Sequence, residues 1–331
     1  MTRLISLLAE KVNCSVLNVH RILANDPSNY RTFHIPKANG GKRLICEPSP
    51  ALKQLQKLLT AEITPVVPIH PAAFAYRRSL SIKENAQRHA ASQALRRYDF
   101  ADFFSSLSAH DWHAHCHRTR LFDEDMEDIA VSTRIFFNDT IERGNWRLAM
   151  GAPSSPFVSN ALLYPFDEEV TDQVSMHGIT YTRYADDLTF SASDAGVLGR
   201  VDIALERALA VCQYDQLTLN HYKTAVAQKP GMGAITGVYV ENDGRLSAGE
   251  DRKQCVVAGI DDVIAGKLTP REIASVKGKL AFVLQIEPEF RAALDQRFGA
   301  GVVEAIIRFN TRASNGIFQY AAVWYRQPFR G

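Results

Sequence analysis

The sequence predicts an α+β fold in which helical segments at both ends of the chain flank a central region rich in strands. Apolar residues recur at helical spacing through the first thirty residues and again beyond Gly244. Between these regions, short runs of β-branched and aromatic residues are bounded by turn residues. With 331 residues, 46% of them hydrophobic, the chain can bury a core of ordinary size.

The first part of the chain predicts helices followed by a pair of strands. Leucines and valines in the first 23 residues follow one another at mostly three- and four-residue intervals, which is typical of an amphipathic helix. Residues 33–47 predict two strands around a turn at 39–41, because Asn-Gly-Gly favours a tight reversal. Ser49 is a suitable N-cap, and Pro50 a suitable first residue, for the helix that follows.

The central region predicts a strand, an interrupted helix and a hairpin. Residues 98–104 form an aromatic, strand-like run, and the helix expected from Phe157 should end early at Pro165. Two β-rich runs, 179–184 and 188–191, are separated by little more than two aspartates, which predicts a hairpin with carboxylates at its tip. Beyond this region a C-terminal helical lobe of roughly ninety residues is expected.

Charge is unevenly distributed along the chain, although the net charge is only +2. Residues 31–97 hold twelve Lys or Arg and three Glu, an excess of nine positive charges. Residues 98–187 hold sixteen acidic residues and six Arg, an excess of ten negative charges. One segment could therefore bind phosphates and the other cations, while two solvated faces are the alternative.

Cysteine spacing and hydropathy predict a cytoplasmic protein with no membrane partner. The five cysteines are scattered, odd in number and never spaced as CxxC, which argues against a disulfide framework and a zinc ribbon. No apolar run approaches the roughly 18 residues that a membrane helix needs. A soluble protein in a reducing compartment fits these features best.

Two adjacent aspartates, Asp186 and Asp187, mark the tip of the predicted hairpin in the sequence Tyr-Ala-Asp-Asp. Asp99, at the end of a strand-like run, supplies a third carboxylate. Hard oxygen ligands of this kind suit Mg²⁺. Two such ions, about 3.5 to 4 Å apart, can activate an attacking hydroxyl and stabilise the leaving oxygen in phosphoryl transfer. Taken alone, the motif is also compatible with a solvated turn rich in aspartate.

Six blocks of sequence, two of which contain these three aspartates, help to choose between a metal site and a solvated turn. They are IPKANGGKRLICEP at 35–48, YDFADFF at 98–104, MGAPSSPFVSN at 150–160, YTRYADDLTFS at 181–191, LTLNHYKT at 217–224 and ITGVYV at 235–240. In order and spacing these blocks resemble the fingers and palm of reverse transcriptases. The resemblance implies a right-hand polymerase with fingers, a palm with an antiparallel sheet and a helical thumb. It also implies RNA-templated DNA synthesis with two Mg²⁺ ions as cofactors.

The resemblance implies a division of the chain into polymerase subdomains. The expected boundaries are 1–30 for an N-terminal helical extension, 31–95 and 110–150 for the fingers, 96–109 and 151–240 for the palm, and 241–331 for an RNA-binding thumb. Asp99, Asp186 and Asp187 match the family's catalytic, metal-binding aspartates. Phe100 would add a backbone carbonyl to the metal site.

Five more residues are implied to bind the incoming dNTP. Phe104 matches the bulky side chain under the sugar, where an aromatic ring would exclude a ribose 2′-hydroxyl. Arg43 and Lys37 match basic finger residues that grip the triphosphate. Gly151 matches the small residue of a loop that approaches the nucleotide and template closely. Lys223 matches a lysine near the phosphates that could assist departure of pyrophosphate.

The chain departs from the family just before this loop. Relatives commonly have Pro-Gln before the glycine, whereas this chain has Ala149 and Met150. A hydrogen bond credited to the glutamine side chain in relatives is therefore not expected here.

Two elements resemble retron reverse transcriptases in particular. NAQRH at 85–89 resembles their NAxxH element, and ITG at 235–237 resembles their VTG element. The resemblance implies that Asn85, His89, Thr236 and Gly237 help to bind a structured noncoding RNA. This RNA would serve as template and primer, and its copying would give a branched, RNA-linked single-stranded DNA (msDNA). Anti-phage defence with a separate effector protein would follow.

Two other functions compete with this interpretation. A non-retron bacterial reverse transcriptase, of intron or other defence type, would use ordinary 3′ or protein priming. A ribonucleoprotein scaffold would restrain an effector without depending on catalysis. Neither the cognate RNA, the effector nor the oligomeric state follows from the sequence.

Overall fold

Helices and antiparallel strand pairs alternate along the chain, and the expected α+β class is confirmed. The computed structural model describes residues 2–24, 29–36, 40–139, 142–220, 225–228 and 233–309, with the backbone alone for 225–228. The chain divides into two compact units, Met1–Ser81 with Gln93–Val226 and Ile82–Ser92 with Ala227–Gly331.

The regular elements are numbered in chain order. They are α1 (Arg3–Lys11), α2 (Val16–Ile22), β1 (Tyr30–Pro36), β2 (Lys42–Pro48), α3 (Pro50–Ile63), α4 (Ile82–Gln87), β3 (Ala94–Asp99), α5 (Phe103–Ser106), α6 (Ala109–Thr119), α7 (Met126–Phe136), β4 (Phe137–Asn138), β5 (Arg147–Leu148), α8 (Ser155–Leu162), α9 (Tyr164–Ser175), β6 (Thr180–Tyr184), β7 (Asp187–Ala192), α10 (Val201–Cys212), β8 (Ala225–Gln228), β9 (Tyr239–Val240), β10 (Leu246–Ser247), α11 (Glu250–Ile264), α12 (Pro270–Ile286), α13 (Phe290–Phe298) and α14 (Ala300–Arg308). Short 3₁₀ segments lie at Leu121–Glu124 and Ala195–Arg200.

The first strand pair confirms the predicted hairpin. β1 and β2 pair antiparallel, with Ile35 opposite Arg43. Gly40 and Gly41 lead into the return strand with φ angles of +85° and +81°, a conformation that glycine adopts without steric cost. Ser49 then caps α3, because its hydroxyl accepts a hydrogen bond from the Leu52 amide at 3.3 Å.

Strands β6, β7 and β3 pair in that order at the centre of the first unit, and β8, of which Ala225 and Val226 belong to this unit, is the next strand in the order. Tyr181 on β6 lies opposite Phe190 on β7, and their rings stack with centroids 4.9 Å apart. The ring of Tyr98 on β3 meets the same phenylalanine edge-on at 5.8 Å. Such ring pairs contribute about 0.5–1.5 kcal/mol each. A slip of one residue would turn every side chain of a strand to the other face, so these buried rings fix the register of the sheet.

Helices cover this sheet and fill the core beneath it. α9 packs on β6, and α10 packs on α9. The fully buried ring of Phe166 on α9 meets the ring of Phe100 at 5.3 Å. Pro165 behaves as predicted: α8 ends at Leu162, and the proline becomes an early residue of α9.

The expected strand over 98–104 is wrong in its position. β3 begins at Ala94, before the expected start, and ends at Asp99. It pairs with β7 along its whole length. The chain turns beyond Asp99, since Asp102 adopts a left-handed conformation with φ +43° and α5 begins at Phe103. Phe100 and Phe103 are therefore buried in a turn and a helix and Phe104 is half-buried, which β-propensity alone does not distinguish from a strand.

The second unit is mainly helical, as expected for the C-terminal region. α11 packs on α12, and α12 packs on α13 and α14. Thr269 and Glu272 form a reciprocal capping box at the start of α12. The carboxylate of Glu287 after α12 accepts hydrogen bonds from the Ser247 hydroxyl at 2.9 Å and the Ala248 amide at 2.7 Å. Among the helices described here, none is long and apolar enough to cross a membrane.

The two units do not coincide with the expected subdomains. Residues 82–92, expected in the fingers, belong to the second unit together with the helices beyond residue 227. Residues 233–240, expected in the palm, also belong to the second unit. Sequence position alone does not reveal this grouping, because it depends on contacts between residues more than 140 positions apart. The boundaries of fingers, palm and thumb stay predictions.

Candidate active site

The three predicted aspartates lie at one end of the central sheet. Asp99, the last residue of β3, is the antiparallel partner of Asp187, the first residue of β7. Asp187 also pairs with Tyr184, so that Ala185 and Asp186 form a two-residue turn. Directly opposed residues of antiparallel strands have Cα atoms about 4.5–5.5 Å apart. The hairpin prediction is confirmed, and its tip lies beside Asp99.

Backbone hydrogen bonds hold Asp99 from two sides. The Phe100 amide donates to the Asp186 carbonyl at 3.1 Å, which ties the end of β3 to the hairpin turn. The Asn220 amide donates to the Asp99 carbonyl at 2.7 Å. The Ala101 amide donates to the Thr218 carbonyl at 2.9 Å, so the segment before residue 221 is part of the same frame.

The three carboxylates differ in exposure. Asp99 is buried, Asp186 is half-buried and Asp187 is exposed. Carboxylate oxygens are the ligands that Mg²⁺ prefers, so the donor set fits this ion by its chemistry. Within the ranges that the structure describes, no three Asp, Glu, His or Cys side chains converge into a closed ligand cluster. The three carboxylates carry like charges and repel one another. A bound divalent cation would attract all three and hold them as ligands of one site.

The turn itself is strained. Ala185 is buried and has φ +59°, a left-handed conformation that costs a residue with a Cβ atom about 1–2 kcal/mol. Its carbonyl accepts a hydrogen bond from Nη1 of Arg183 at 3.2 Å. Strain of this kind persists only where the surroundings hold it, and it is concentrated at functional sites.

Sequence reasoning missed two residues beside these aspartates. Arg183 is completely buried and forms an ion pair with Asp167. Tyr76 is 53% exposed and has φ +63°. The pKa of its hydroxyl is raised, first by partial burial and then by the negative charge of nearby Asp186. An arginine within a short strand of threonine and tyrosine residues is a signal for a buried ion pair, whereas the sequence around Tyr76 contains no such signal.

Comparison with known proteins agrees with this geometry. The family model described as reverse transcriptase (RNA-dependent DNA polymerase) matches residues 35–240. The retron Ec83 reverse transcriptase of Escherichia coli is 30% identical over 284 residues, which are 86% of this chain and 91% of the relative. The retron Mx65 reverse transcriptase of Myxococcus xanthus is 32% identical over 286 residues, which are 81% of this chain and 64% of the relative.

The chain belongs to the reverse transcriptase family. It is an RNA-directed DNA polymerase of retron type, with the α+β right-hand polymerase fold. A solved structure of apo telomerase from Candida tropicalis is similar in fold, with a TM-score of 0.51 at 12% identity over 84% of this chain and 59% of that chain.

In this reverse transcriptase, the glycine loop packs on the strand that carries Arg43. Gly151 has φ +115°, and a Cβ atom there would lie 3.0 Å from Cγ2 of Ile45 and 3.1 Å from the Cys46 carbonyl oxygen. The Cys46 amide donates to the Met150 carbonyl at 2.8 Å. The loop therefore requires glycine for its conformation and for its close approach to β2.

The other nucleotide-binding candidates differ in what the structure shows. Arg43 is exposed on β2. Phe104 on α5 is half-buried and packs against Phe103 with ring centroids 5.2 Å apart. Lys37 and Lys223 lie outside the described residues. The roles of all four in nucleotide binding stay predictions.

The four RNA-binding candidates lie together in the second unit. Nδ2 of Asn85 donates to the Thr236 hydroxyl at 3.4 Å, and Gly237 follows with φ +85°. Asn85 and His89 are fully buried. Burial lowers the pKa of His89 to about 3, with a smaller contribution from the charge of Arg88, so this histidine is neutral near pH 7. The role of these four residues in RNA binding stays a prediction.

Proposed function

We propose that this retron-type reverse transcriptase copies part of a structured noncoding RNA into msDNA, using two Mg²⁺ ions held by Asp99, Asp186 and Asp187. The observation that carries the proposal is the β3–β7 register, which places Asp99 directly opposite Asp187 at the hairpin tip. The names of the relatives, retron reverse transcriptases of Escherichia coli and Myxococcus xanthus, support the retron assignment.

We propose a distinct task for each aspartate. Asp99, Asp186 and Asp187 would hold two ions whose charge would favour ionisation of the primer hydroxyl and offset the charge on the leaving pyrophosphate. Asp99, held by its backbone on both sides, provides a fixed ligand on the sheet. Asp186 in the turn and Asp187 at the start of β7 would provide the other ligands, and Asp187 is exposed to solvent. We expect Phe100 to contribute only through its backbone, since its side chain is buried in the core.

The dNTP would be bound by residues around this centre. Arg43 presents a planar, permanently charged fork suited to phosphate oxygens. Gly151 lets the loop backbone lie close to β2 and to the substrate. Phe104 would lie under the sugar and favour deoxynucleotides. Lys37 and Lys223 complete the proposed set of phosphate contacts.

The catalytic assignment is tested by replacing both aspartates of the turn. The variant carrying Asp186→Asn and Asp187→Asn should lose primer extension by at least about a thousandfold while binding RNA normally, because metal ligands act on turnover more than on affinity. Extension of a labelled RNA-templated primer and a filter-binding assay measure the two effects. Glu206→Gln, an exposed acid on α10, is the matched control and should extend normally. Retained extension by the double variant would remove the catalytic assignment.

The proposed role of Phe104 in excluding ribonucleotides (the sugar gate) is tested separately. Phe104→Ala should raise incorporation of ribonucleotides relative to deoxynucleotides by about tenfold or more, because a lost aromatic clash of about 1.4 kcal/mol already corresponds to a factor of ten. Single-nucleotide incorporation of dGTP and GTP gives the ratio of kcat/KM values. Phe103→Leu, a neighbouring core substitution, controls for loosened packing. An unchanged ratio would place the gate elsewhere.

The proposed product distinguishes a retron enzyme from other bacterial reverse transcriptases. Nucleic acid copurified with the wild-type protein should contain a short single-stranded DNA joined to RNA through a branch, detected by sequencing before and after debranching. An unbranched product begun from an ordinary 3′ end would support intron-like priming instead.

The remaining proposals concern partners and subdomains. We assign the fingers, palm and thumb to the boundaries expected from the sequence, with the thumb region binding RNA by phosphate contacts and shape. A separate effector protein and a role in anti-phage defence are proposed from the family resemblance. Affinity purification of the wild-type and Asp186→Asn, Asp187→Asn proteins from the native host would show whether an effector binds before or after DNA synthesis.

A further inference from the structure

A buried arginine, Arg183, lies two residues before the turn formed by Ala185 and Asp186 (the catalytic turn). The side chain of Arg183 on β6 has no exposed surface, and neither has the side chain of Asp167 on α9. Nε of the arginine donates to Oδ1 of Asp167 at 2.8 Å, and Nη2 donates to Oδ2 at 2.6 Å. This is the bidentate geometry in which a guanidinium and a carboxylate bind each other most specifically.

The remaining donor edge of the guanidinium faces the turn. Nη1 of Arg183 donates to Oδ1 of Asn160 at 3.0 Å and to the Ala185 carbonyl at 3.2 Å. One side chain thus joins two helices of the first unit to the strained residue of the hairpin.

The contact with Ala185 bears on Asp186 through the peptide bond. The carbonyl of residue 185 and the amide of residue 186 belong to one planar group. Fixing the direction of that carbonyl therefore fixes the orientation of the plane from which the Asp186 side chain projects. Because Ala185 has φ +59°, the turn can relax to less strained conformations unless this contact holds it.

The same arginine also ties a second segment to the site. Its amide donates to the Ala72 carbonyl at 2.7 Å, and its carbonyl accepts from the Phe74 amide at 2.8 Å. Nδ2 of Asn160 donates to the Ala75 carbonyl at 2.9 Å. Tyr76, which is exposed and near Asp186, follows immediately.

A buried ion pair needs a reason beyond stability. Desolvation of two charges offsets much of their attraction, and apolar residues of similar volume often stabilise a core equally well. Here Asp167 holds the guanidinium of Arg183, whose Nη1 donates a hydrogen bond to the catalytic turn. A role in orienting the turn explains why Arg183 and Asp167 are charged, whereas stability alone does not.

We propose that Arg183 is a positioning residue for the catalytic turn: Asp167 and Asn160 hold its guanidinium so that it fixes the Ala185–Asp186 peptide plane and, with it, the arrangement of Asp186 and Asp187. This inference rests on the proposed metal-binding role of those two aspartates. Arg183 touches neither substrate nor reacting atoms.

The decisive measurement is the Mg²⁺ concentration that gives half-maximal primer extension. In Arg183→Lys the ammonium can still pair with Asp167, but a single point charge cannot hold the carboxylate and the turn together. We expect kcat to fall about tenfold and the half-saturating Mg²⁺ concentration to rise several-fold, with RNA affinity within about twofold of the wild type.

A double variant removes the problem of an unpaired buried charge. Arg183→Met with Asp167→Leu replaces the ion pair by apolar side chains and should fold, as thermal unfolding will show. We expect its Mg²⁺ requirement to rise at least as much as that of Arg183→Lys. A folded double variant with the wild-type Mg²⁺ requirement and kcat would overturn the proposal, and it decides the question if Arg183→Lys does not fold.

A matched control distinguishes loss of a hydrogen bond to Asp167 from loss of the contact between Arg183 and the turn. The hydroxyl of Tyr181 donates to Oδ1 of Asp167 at 2.7 Å. Tyr181→Phe removes this bond from the same carboxylate while leaving the contact between Arg183 and Ala185. It should lower the melting temperature without changing the Mg²⁺ requirement, and an equal rise there would count against a specific role for Arg183.

Different results would overturn the metal-binding role of Asp186 and Asp187 and the positioning role of Arg183. If the protein with Asp186→Asn and Asp187→Asn still extends primers at saturating Mg²⁺, the proposed function fails whatever Arg183 does. If that protein is inactive and the folded Arg183 variants respond to Mg²⁺ like the wild type, only the positioning role is lost.

Discussion

The β1–β2 and β6–β7 hairpins of the first unit form their turns by opposite means. The β1–β2 hairpin reverses through Gly40 and Gly41, where a Cβ atom would meet nothing within 4 Å. The β6–β7 hairpin reverses through Ala185, a residue with a Cβ atom held at φ +59° by a buried arginine. The first turn is encoded by its own residues, whereas the second depends on side chains from elsewhere in the fold.

The difference extends to the strands. Most of β1 and the start of β2, where Arg43 lies, are exposed, while β6 and β7 are almost entirely buried up to the aspartates. An exposed basic hairpin suits a part that contacts a substrate, and a buried one suits a part that must hold ligands in place. The comparison predicts that substitutions in β1–β2 act on substrate binding and that those around β6–β7 act on stability and turnover.

The largest expected effect is on stability beneath the buried hairpin. Arg183→Met alone leaves the Asp167 carboxylate buried without its cation, which should lower the free energy of unfolding by about 3–5 kcal/mol. Urea unfolding followed by circular dichroism measures this change. Arg207→Met, at an exposed position on α10, is the control. A loss below about 1 kcal/mol would contradict the view that the second hairpin depends on this ion pair.

A smaller effect, on substrate affinity, is expected at the exposed hairpin. Arg43→Ala should raise KM for dNTP about tenfold or more, since hydrogen bonds from a charged donor contribute about 1.5–3 kcal/mol. The melting temperature should not change, because the side chain is exposed. Lys42→Ala, the adjacent residue with its side chain on the other face of the strand, is the control. A fall in kcat with KM unchanged would break the comparison.

The smallest effects come from exchanging the turn residues. Gly41→Ala should lower the free energy of unfolding by about 1 kcal/mol, because φ +81° is unfavourable for alanine even in open space. Ala185→Gly should change it by less than about 1 kcal/mol, since relief of strain is offset by greater freedom of the unfolded chain. Thermal unfolding of both variants gives the difference. Equal losses in the two would mean that both turns depend on their surroundings alike.

Local features of the fold were predictable from the sequence because their causes lie within a few residues. The cap at Ser49, the break at Pro165 and the hairpin ending in Asp186 and Asp187 were all expected and are confirmed. The expected strand over 98–104 failed for the opposite reason. Aromatic residues favour strands and cores alike, and only packing against α9 distinguishes the two.

Residue types and their spacing were enough to predict which chemical groups the site contains: three carboxylates near turns, a glycine loop and a basic hairpin. How these groups are held depends on contacts between distant segments. Asp167 and Asn160 meet Arg183 from 16 and 23 residues away, and the segment beside Tyr76 joins them from more than 100. Hydrophobic period and turn chemistry act over a few residues, whereas burial of a charge depends on whichever partners the whole fold brings to it.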